Sequence, residues 1–204
     1  GGMDKFVEFL GWCGQLEIPA VTCWLLSKEN LSRPAAELLP YFEVLADLFD
    51  RLPAEPAAAD LSIRTIGSLD LLPEALRRAA DGLAERAQSG NRRLTIGLAY
   101  GGRQEIVDAV KDLVGRLAAE GVSSGEMPAH IDAEALAGHL YTAGLPDPDL
   151  VIRTSGESRL SGFLLWQAAY AEYSFVDVYW PAYRRVDFLR ALRDFGRRHR
   201  RFGL

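Results

Sequence analysis

Short apolar segments alternate with longer amphipathic ones along the chain, and this alternation restricts the fold more than any other feature of the sequence. The compact apolar segments have the length of buried strands and lie at residues 20–26, 61–66, 94–99 and 150–152. A further short strand is predicted at 175–178. Helices are predicted at residues 3–16, 34–51, 73–88, 104–119, 132–142, 163–171 and 186–201. The alternation predicts an α/β fold, in which a mainly parallel β-sheet is flanked by helices in a single domain.

The composition is that of an ordinary globular protein, with 204 residues, of which 49% are hydrophobic and 25% charged. Neither a membrane-spanning apolar run nor a signal peptide is evident. Cys13 and Cys23 lie in apolar surroundings, which favours reduced, buried thiols in a cytoplasmic protein. The three histidines show no metal-ligand spacing, and no serine nucleophile elbow or phosphate loop occurs. The net charge of −5 argues against nucleic acid as a partner.

The polar turn after the predicted strand 150–152 has the composition of an anion site. Arg153 and Arg159 stand six residues apart, and guanidinium groups bind phosphate oxygens in a bidentate manner at any working pH. We expect the backbone N–H groups of Ser155 and Gly156 to be free and to point toward the same anion. Glu172, which ends the following apolar segment, is suited to a hard divalent cation. The alternative is a structural ion-pair network.

Another polar loop, Ser27–Arg33, precedes that turn in the chain and is called the first loop. It lies between the predicted strand 20–26 and Pro34, which opens the next helix. Ligands usually bind at this edge of a parallel sheet. The alternative is that Ser27 and Asn30 only cap the loop and the following helix.

Segment 149–167 resembles the C-terminal signature of the cis-prenyltransferases, the family of undecaprenyl and Z-farnesyl diphosphate synthases. The matching residues are Asp149, Arg153, Gly156, Glu157, Arg159, Ser161, Phe163, Trp166 and Gln167. Other matches to the family pattern are Ser27, Glu29, Asn30, Arg33, Arg64, Gly67, Tyr100, Gly101, Gly102, Arg103, Trp180, Pro181, Arg201 and Gly203. A match that runs from residue 2 to the end of the chain is highly specific.

The resemblance implies an enzyme that joins isopentenyl diphosphate to an allylic diphosphate. Diphosphate leaves C1 of the allylic partner, a carbon–carbon bond forms, and a proton is lost from C2 to give a Z double bond. The reaction needs two anion sites, a magnesium ion at the leaving group and a hydrophobic tunnel for the growing chain. The resemblance also implies a homodimer that contacts membranes only through its lipid product.

The family assigns roles to particular positions of this sequence. By resemblance, isopentenyl diphosphate is bound by Arg153, Gly156, Glu157, Arg159, Leu160 and Ser161. The first loop contributes the substrate-binding residues Ser27, Lys28, Glu29, Leu31 and Arg33, and Asn30 assists proton removal. A carboxamide is a poor base, so we expect Asn30 to orient a water or a phosphate oxygen that accepts the proton. Glu172 would hold magnesium, and Arg201 and Gly203 would reach the diphosphate site of a partner subunit.

The family's tunnel is lined by the strand before this loop, where Leu25 is bulky and long-chain relatives carry alanine. Leu25 is therefore predicted to limit the product to a short chain. The alternative is that Trp24, Leu25 and Leu26 are plain core, because neighbouring strand residues face opposite sides and Leu25 could face a helix.

The sequence departs from the family pattern at its beginning. The family's first strand ends in Asp-Gly-Asn-x-Arg-Trp, whose Asp binds magnesium, and this motif does not occur in the 204 residues. We expect it to precede residue 1 in the full protein. Smaller departures are Leu31, Ala99 and Ser158, where relatives carry an aromatic residue, asparagine and histidine. Besides a short-chain synthase, the alternatives are a non-catalytic partner subunit, a long-chain synthase and an enzyme that couples two dimethylallyl units.

Overall fold

The computed structural model describes residues 1–87 and 89–198. Its strands are β1 (Ala20–Trp24), β2 (Leu61–Ile66), β3 (Arg92–Gly97), β4 (Leu150–Arg153) and β5 (Glu172–Phe175). Its α-helices are α1 (Gly2–Gln15), α2 (Ala35–Arg51), α3 (Glu74–Arg86), α4 (Gly102–Ala119), α5 (Ala133–Ala137) and α6 (Arg185–Arg197). The predicted α/β alternation is confirmed. None of the described helices is both long and apolar enough to cross a membrane.

All paired strands in the described part of the chain are parallel, as predicted, but they form two sheets. β3 lies between β1 and β2, and Leu94 is opposite both Val21 and Ile63. β4 pairs with β5 in a separate two-stranded sheet. An apolar cluster connects the two sheets and consists of Ile66, Tyr100, Val151, Leu164 and Ala168, with Trp24 and Phe163 packed against it.

The largest apolar cluster packs α1, α2 and α3 against the three-stranded sheet. Leu61 and Ile63 of β2 point into it, and Leu45 and Leu48 of α2 are fully buried there. Burial of each such side chain contributes roughly 1.5–3 kcal/mol. This well-packed layer fixes the position of the loops that follow β1 and β3.

The predicted helix 163–171 is absent, and this segment forms turns. Ser161, Gly162 and Leu164 have φ angles of 52°, 88° and 45°, whereas right-handed helices need negative φ values throughout. The chain therefore enters this segment in a conformation from which a continuous helix cannot start.

Two other predicted elements are shorter or displaced because their backbone groups bond elsewhere. The predicted helix 132–142 ends at Ala137, and the N–H of Tyr141 donates to the Glu105 carboxylate at 2.9 Å instead of to the helix. The predicted strand 175–178 is replaced by β5, which begins at Glu172. The carbonyls of the residues after β5 bond to a turn and not to a neighbouring strand.

Candidate active site

The loop Ser27–Arg33 is fixed to the carboxyl edge of the three-stranded sheet. Ser27 forms a parallel bridge with Tyr100, and the N–H of Lys28 donates to the Tyr100 carbonyl at 2.9 Å. The hydroxyl of Ser27 accepts the backbone N–H of Asn30 at 3.1 Å. Capping therefore describes what the Ser27 side chain does, while the Asn30 side chain lines a cavity.

The other residues predicted from this loop have different surroundings. Lys28 donates from Nζ to Gln104 Oε1 at 2.5 Å. Leu31 packs against the main core, Glu29 is exposed, and Arg33 lines the same cavity as Asn30. Only part of the predicted loop thus faces a space that a ligand can enter.

This cavity, of about 380 Å³, lies at the carboxyl end of β1. Its polar lining consists of Asn30, Arg33 and Glu37, and its remaining lining of Leu25, Leu26, Leu38 and Tyr41. Leu25 therefore lines the cavity together with Leu38 and Tyr41 of α2, and the tunnel stays a prediction. Apolar walls with a few polar groups are typical of small-molecule sites, and here they suit an amphiphile with an anionic head.

The predicted anion-binding turn, Arg153–Ser161, is called the arginine turn. It is closed by hydrogen bonds from one of its own arginines. Arg153 Nη1 donates to the Arg159 carbonyl at 2.6 Å and to Ser161 Oγ at 2.8 Å. The Arg159 side chain is 71% exposed and pairs with Glu157 at 3.0 Å. The structure brings these predicted residues together, with Arg153 inside the turn and Arg159 at its surface. Leu160 is half-buried beside them.

The prediction that Ser155 and Gly156 leave their backbone N–H groups free is wrong. These groups donate to the carbonyls of Val178 at 2.6 Å and Val176 at 3.2 Å. Both residues have positive φ angles, 82° and 69°, which turn their N–H groups toward the segment after β5. The φ angle of Gly156 favours glycine, whereas the nearest atom to an added Cβ, Asp177 Oδ1 at 2.4 Å, belongs to an exposed side chain that can move. The two predicted backbone donors are therefore not available to an anion.

Glu172, the predicted magnesium ligand, begins β5 and is 18% exposed. Its carboxylate accepts a hydrogen bond from Arg198 at 3.2 Å. Across residues 1–87 and 89–198, no three His, Cys, Asp or Glu side chains gather closely enough to hold an ion. Mg²⁺ is often bound through one or two carboxylates together with substrate phosphates. Glu172 fits that kind of site, but this part of the chain does not form an all-protein cage.

A buried carboxylate that was not predicted, Glu105, is hydrogen-bonded to residues that follow β3 and to a residue that follows the arginine turn. Glu105 of α4 is 1% exposed and accepts hydrogen bonds from Tyr100 Oη at 2.5 Å, Tyr141 N–H at 2.9 Å and Gln167 Nε2 at 2.9 Å. Gln167 also donates to Thr142 Oγ1 at 2.8 Å. Burial, followed by the nearby Glu105 charge, raises the pKa of Tyr100. These five residues, the Glu105 network, join α4 to the segment after the arginine turn.

The sequence does contain a signal for this network. Glu105 is spaced with Ala109, Leu113 and Leu117 along the buried stripe of α4. A carboxylate at such a position must find donors inside the protein, because an unpaired buried charge is costly. The partners themselves come from distant segments and cannot be read from that spacing.

A second set of hydrogen bonds runs from the first loop to the same network. Lys28 bonds to Gln104, whose Nε2 donates to Asp108 Oδ1 at 2.8 Å, and Tyr141 Oη donates to Asp108 Oδ2. Burial alone would raise the pKa of Asp108, but the hydrogen bonds from Tyr141 and Gln104 outweigh burial and lower it. The first loop and the arginine turn are therefore linked through α4.

Aromatic packing also joins the two regions directly. Trp24, just before the first loop, stacks on Phe163 with ring centroids 5.3 Å apart and an interplanar angle of 11°. Tyr100 meets both rings edge-on. The N–H of Gly102 donates to the Gly162 carbonyl at 2.9 Å. Arg201 and Gly203, predicted to act on a partner subunit, lie outside the described residues.

Comparisons with known proteins agree with this arrangement. Residues 1–203 match the family model described as "Putative undecaprenyl diphosphate synthase". "Isoprenyl transferase 1" of Corynebacterium diphtheriae is 50% identical over 206 residues, which cover 99% of this chain and 76% of that protein. The "(2Z,6E)-farnesyl diphosphate synthase" of Mycolicibacterium smegmatis is 48% identical over 204 residues, which cover 99% of this chain and 77% of that protein.

A solved structure is similar over the whole chain. The lavandulyl diphosphate synthase from Lavandula x intermedia, in complex with dimethylallyl diphosphate, has a TM-score of 0.90 and 30% sequence identity. The similarity covers 100% of this chain and 86% of that one.

Proposed function

We propose the function of this chain from its family, since it belongs to the undecaprenyl diphosphate synthase family of isoprenyl transferases. It is a short-chain Z-isoprenyl diphosphate synthase that condenses isopentenyl diphosphate with an allylic diphosphate. The observation that carries this proposal is the cavity beside the first loop. Arg33 and Asn30 line its polar part, and Leu25 stands in the apolar lining where a growing chain would be received.

The reaction places separate demands on the two regions. The first loop and cavity hold the allylic partner, whose C1 forms the new bond while its diphosphate leaves. The arginine turn holds isopentenyl diphosphate through Arg159 and the Ser161 hydroxyl, with Arg153 fixing the shape of the turn. Arg159 has five N–H donors and meets Glu157 in a single ion pair, so donors remain for phosphate oxygens. Asn30 orients the acceptor of the C2 proton.

We propose Mg²⁺ as the cofactor, with Glu172 as a protein ligand. The ion would neutralise charge that develops on the departing diphosphate. Glu172→Ala should abolish most activity while the thermal unfolding midpoint stays near that of the wild type. Arg198→Ala is the matched variant, because it removes the partner of Glu172 but keeps the carboxylate. If Glu172→Ala keeps full activity at limiting Mg²⁺, Glu172 is only the partner of Arg198.

We also propose a homodimer whose interface includes the exposed aromatic residues Tyr170, Phe175 and Tyr179. These side chains are 88%, 45% and 76% exposed, and they lie next to Glu172 in sequence. A second copy would shield them from water. Light scattering should report a dimer for the wild type and a monomer for Tyr179→Glu. Leu39→Glu, at a 56% exposed position on α2, is the control and should remain dimeric. A monomeric wild type contradicts the proposal.

The irregular coupling of two dimethylallyl units is a second candidate, favoured by the similarity to the lavandulyl diphosphate synthase structure. The intact Arg153–Ser161 turn argues for isopentenyl diphosphate instead. Incubation with dimethylallyl diphosphate alone separates the two, because only irregular coupling gives a product without isopentenyl diphosphate.

The central test is a product assay on the purified full-length protein. Isopentenyl diphosphate is supplied with five-, ten- or fifteen-carbon allylic diphosphates, and the dephosphorylated products are separated by chromatography. A main product of fifteen carbons with a new Z bond is expected. A product of fifty carbons or more contradicts the short-chain function. Turnover that needs a different second chain identifies a partner subunit. The cytoplasmic location and the contact with membranes through the product stay predictions.

A further inference from the structure

A tyrosine on α2 is hydrogen-bonded to the backbone of Leu25, just beyond the end of β1. Tyr41 lines the cavity, and its hydroxyl donates to the Leu25 carbonyl at 2.5 Å. That carbonyl lies one residue beyond the end of β1. The N–H groups of Leu25 and Leu26 both donate to Gly97 at this point. The tyrosine hydroxyl therefore supplies the donor that a continuing strand ladder would otherwise supply.

The tyrosine keeps this role over the whole working pH range. Burial raises the pKa of Tyr41 to about 12, although the positive charge of Arg33 acts in the opposite direction. A phenol with this pKa remains protonated and continues to donate. The ring is thus held in one position by its hydroxyl at one end and by α2 at the other.

The position of Tyr41 on its helix places it behind the polar part of the cavity. Glu37 lines the polar part and lies four residues earlier, about 6 Å along the helix axis at 1.5 Å per residue. Arg33 precedes α2, so the polar lining lies around the helix start and the tyrosine ring lies one turn further on. A substrate whose diphosphate is near Arg33 would extend its hydrocarbon toward Leu25 and Tyr41.

We propose that Tyr41 is a second residue that determines product length, acting together with Leu25, to whose carbonyl it is hydrogen-bonded. The inference rests on the proposed function and adds a specificity-determining residue to it. The ring occupies space that a further isoprene unit would need, and the hydrogen bond prevents it from swinging aside. Closely packed walls do not admit such added volume without strain. Removal of Leu25 alone therefore opens only part of the space.

The test compares product lengths from the wild type and five variants, one of them Leu25→Ala alone, under identical conditions. Tyr41→Ala should lengthen the main product by at least one five-carbon unit, and Tyr41→Ala with Leu25→Ala should lengthen it more than either change alone. Tyr41→Phe keeps the ring but loses the hydrogen bond to the Leu25 carbonyl, so it should lengthen the product less than Tyr41→Ala does. Phe42→Leu is the matched control, since it removes ring volume from the same helix at a residue that does not line the cavity.

The outcomes distinguish this inference from the proposed function. A short wild-type product with an unchanged distribution in active Tyr41→Ala overturns the role of Tyr41 and leaves the function intact. If Tyr41→Ala does not fold, Tyr41→Leu replaces it, and an unchanged product from that variant is equally decisive. Equal lengthening by Phe42→Leu also overturns the inference, because it would show general loosening of α2. A long wild-type product removes the proposed function and the inference together.

Discussion

The loop Ser27–Arg33 and the turn Arg153–Ser161 both follow a strand and were both predicted to bind substrate, yet they are stabilised differently. The loop is capped locally, through the bond between Ser27 Oγ and the N–H of Asn30. The turn depends on residues with positive φ angles and on bonds from Ser155 and Gly156 to the carbonyls of Val178 and Val176, which lie 23 and 20 positions away. The cap inside the loop needs no distant residue, although the attachment of the loop to the sheet does, whereas the conformation of the turn itself should be sensitive to substitutions in the segment after β5.

The largest effect is expected from Arg153→Lys, which keeps the charge but moves the donor. The bonds to the Arg159 carbonyl and Ser161 Oγ both come from Nη1, and the lysine side chain is one bond too short to place its ammonium group there. The loss of charge-assisted hydrogen bonds of about 1.5–3 kcal/mol should raise KM for isopentenyl diphosphate about 10- to 100-fold. Steady-state kinetics with each substrate varied in turn measure this.

The matched variant is Arg33→Lys in the first loop, which should raise KM for the allylic substrate instead. If both variants change the two KM values equally, the assignment of one substrate to each region is wrong. Unchanged values for Arg153→Lys would show that the turn does not need its closing arginine.

Gly102→Ala tests how tightly the backbone packs against the segment that follows the arginine turn. A Cβ atom there would lie 2.5 Å from the Gly162 carbonyl oxygen and 2.9 Å from Leu165 Cγ, so the segment after the turn must move. Overpacking of this kind costs about 1–3 kcal/mol, which should lower the thermal unfolding midpoint and raise KM for isopentenyl diphosphate.

Gly101→Ala is the control on the side of the first loop. Its Cβ would be 3.4 Å from the nearest atom, Glu29 Oε1, and its φ of −147° suits any residue. A midpoint for Gly101→Ala as low as that of Gly102→Ala would contradict the difference in packing.

The sequence predicted most of the fold because the deciding signals are local. Apolar length and periodicity located β1 to β4 and helices α1 to α4, and the polar residues before Pro34 located the first loop. The helix predicted at 163–171 was wrong, since the positive φ angles of Ser161 and Leu164 do not follow from their side chains.

The candidate site was predictable to the same extent. The resemblance identified the residues of both regions, and the structure then placed them. The face of Leu25 was undecidable from alternation alone, because it depends on how α2 packs across the cavity. Glu105 was missed because its partners, Tyr141 and Gln167, are 36 and 62 positions away along the chain.

A smaller effect is expected from Ser27→Ala. The change removes the hydroxyl that caps Asn30, and loss of a cap of this type costs about 1 kcal/mol. The thermal unfolding midpoint should fall by about 2–4 °C for a chain of this size. Ser158→Ala, at an exposed position in the arginine turn, should change it less. Equal shifts would mean that local capping does not distinguish the first loop.

The smallest effect concerns the link between the two regions through Asp108 and is expected only in acid. Hydrogen bonds from Tyr141 and Gln104 hold the pKa of Asp108 below its ordinary value of 3.8. A carboxyl whose pKa is lower in the folded state stabilises the fold when it is ionised. The contribution of ionised Asp108 to the stability of the fold is therefore complete above pH 3.8 and is lost as the pH falls below that value toward the folded pKa.

Asp108→Asn should lower the unfolding midpoint at neutral pH, and the difference in midpoint from the wild type should shrink below pH 3.8. Tyr141→Phe removes one of the two bonds that lower the pKa, so it should flatten the same part of the pH profile. A constant difference between Asp108→Asn and wild type across this range would mean that the ionised carboxylate does not stabilise the link between the first loop and α4.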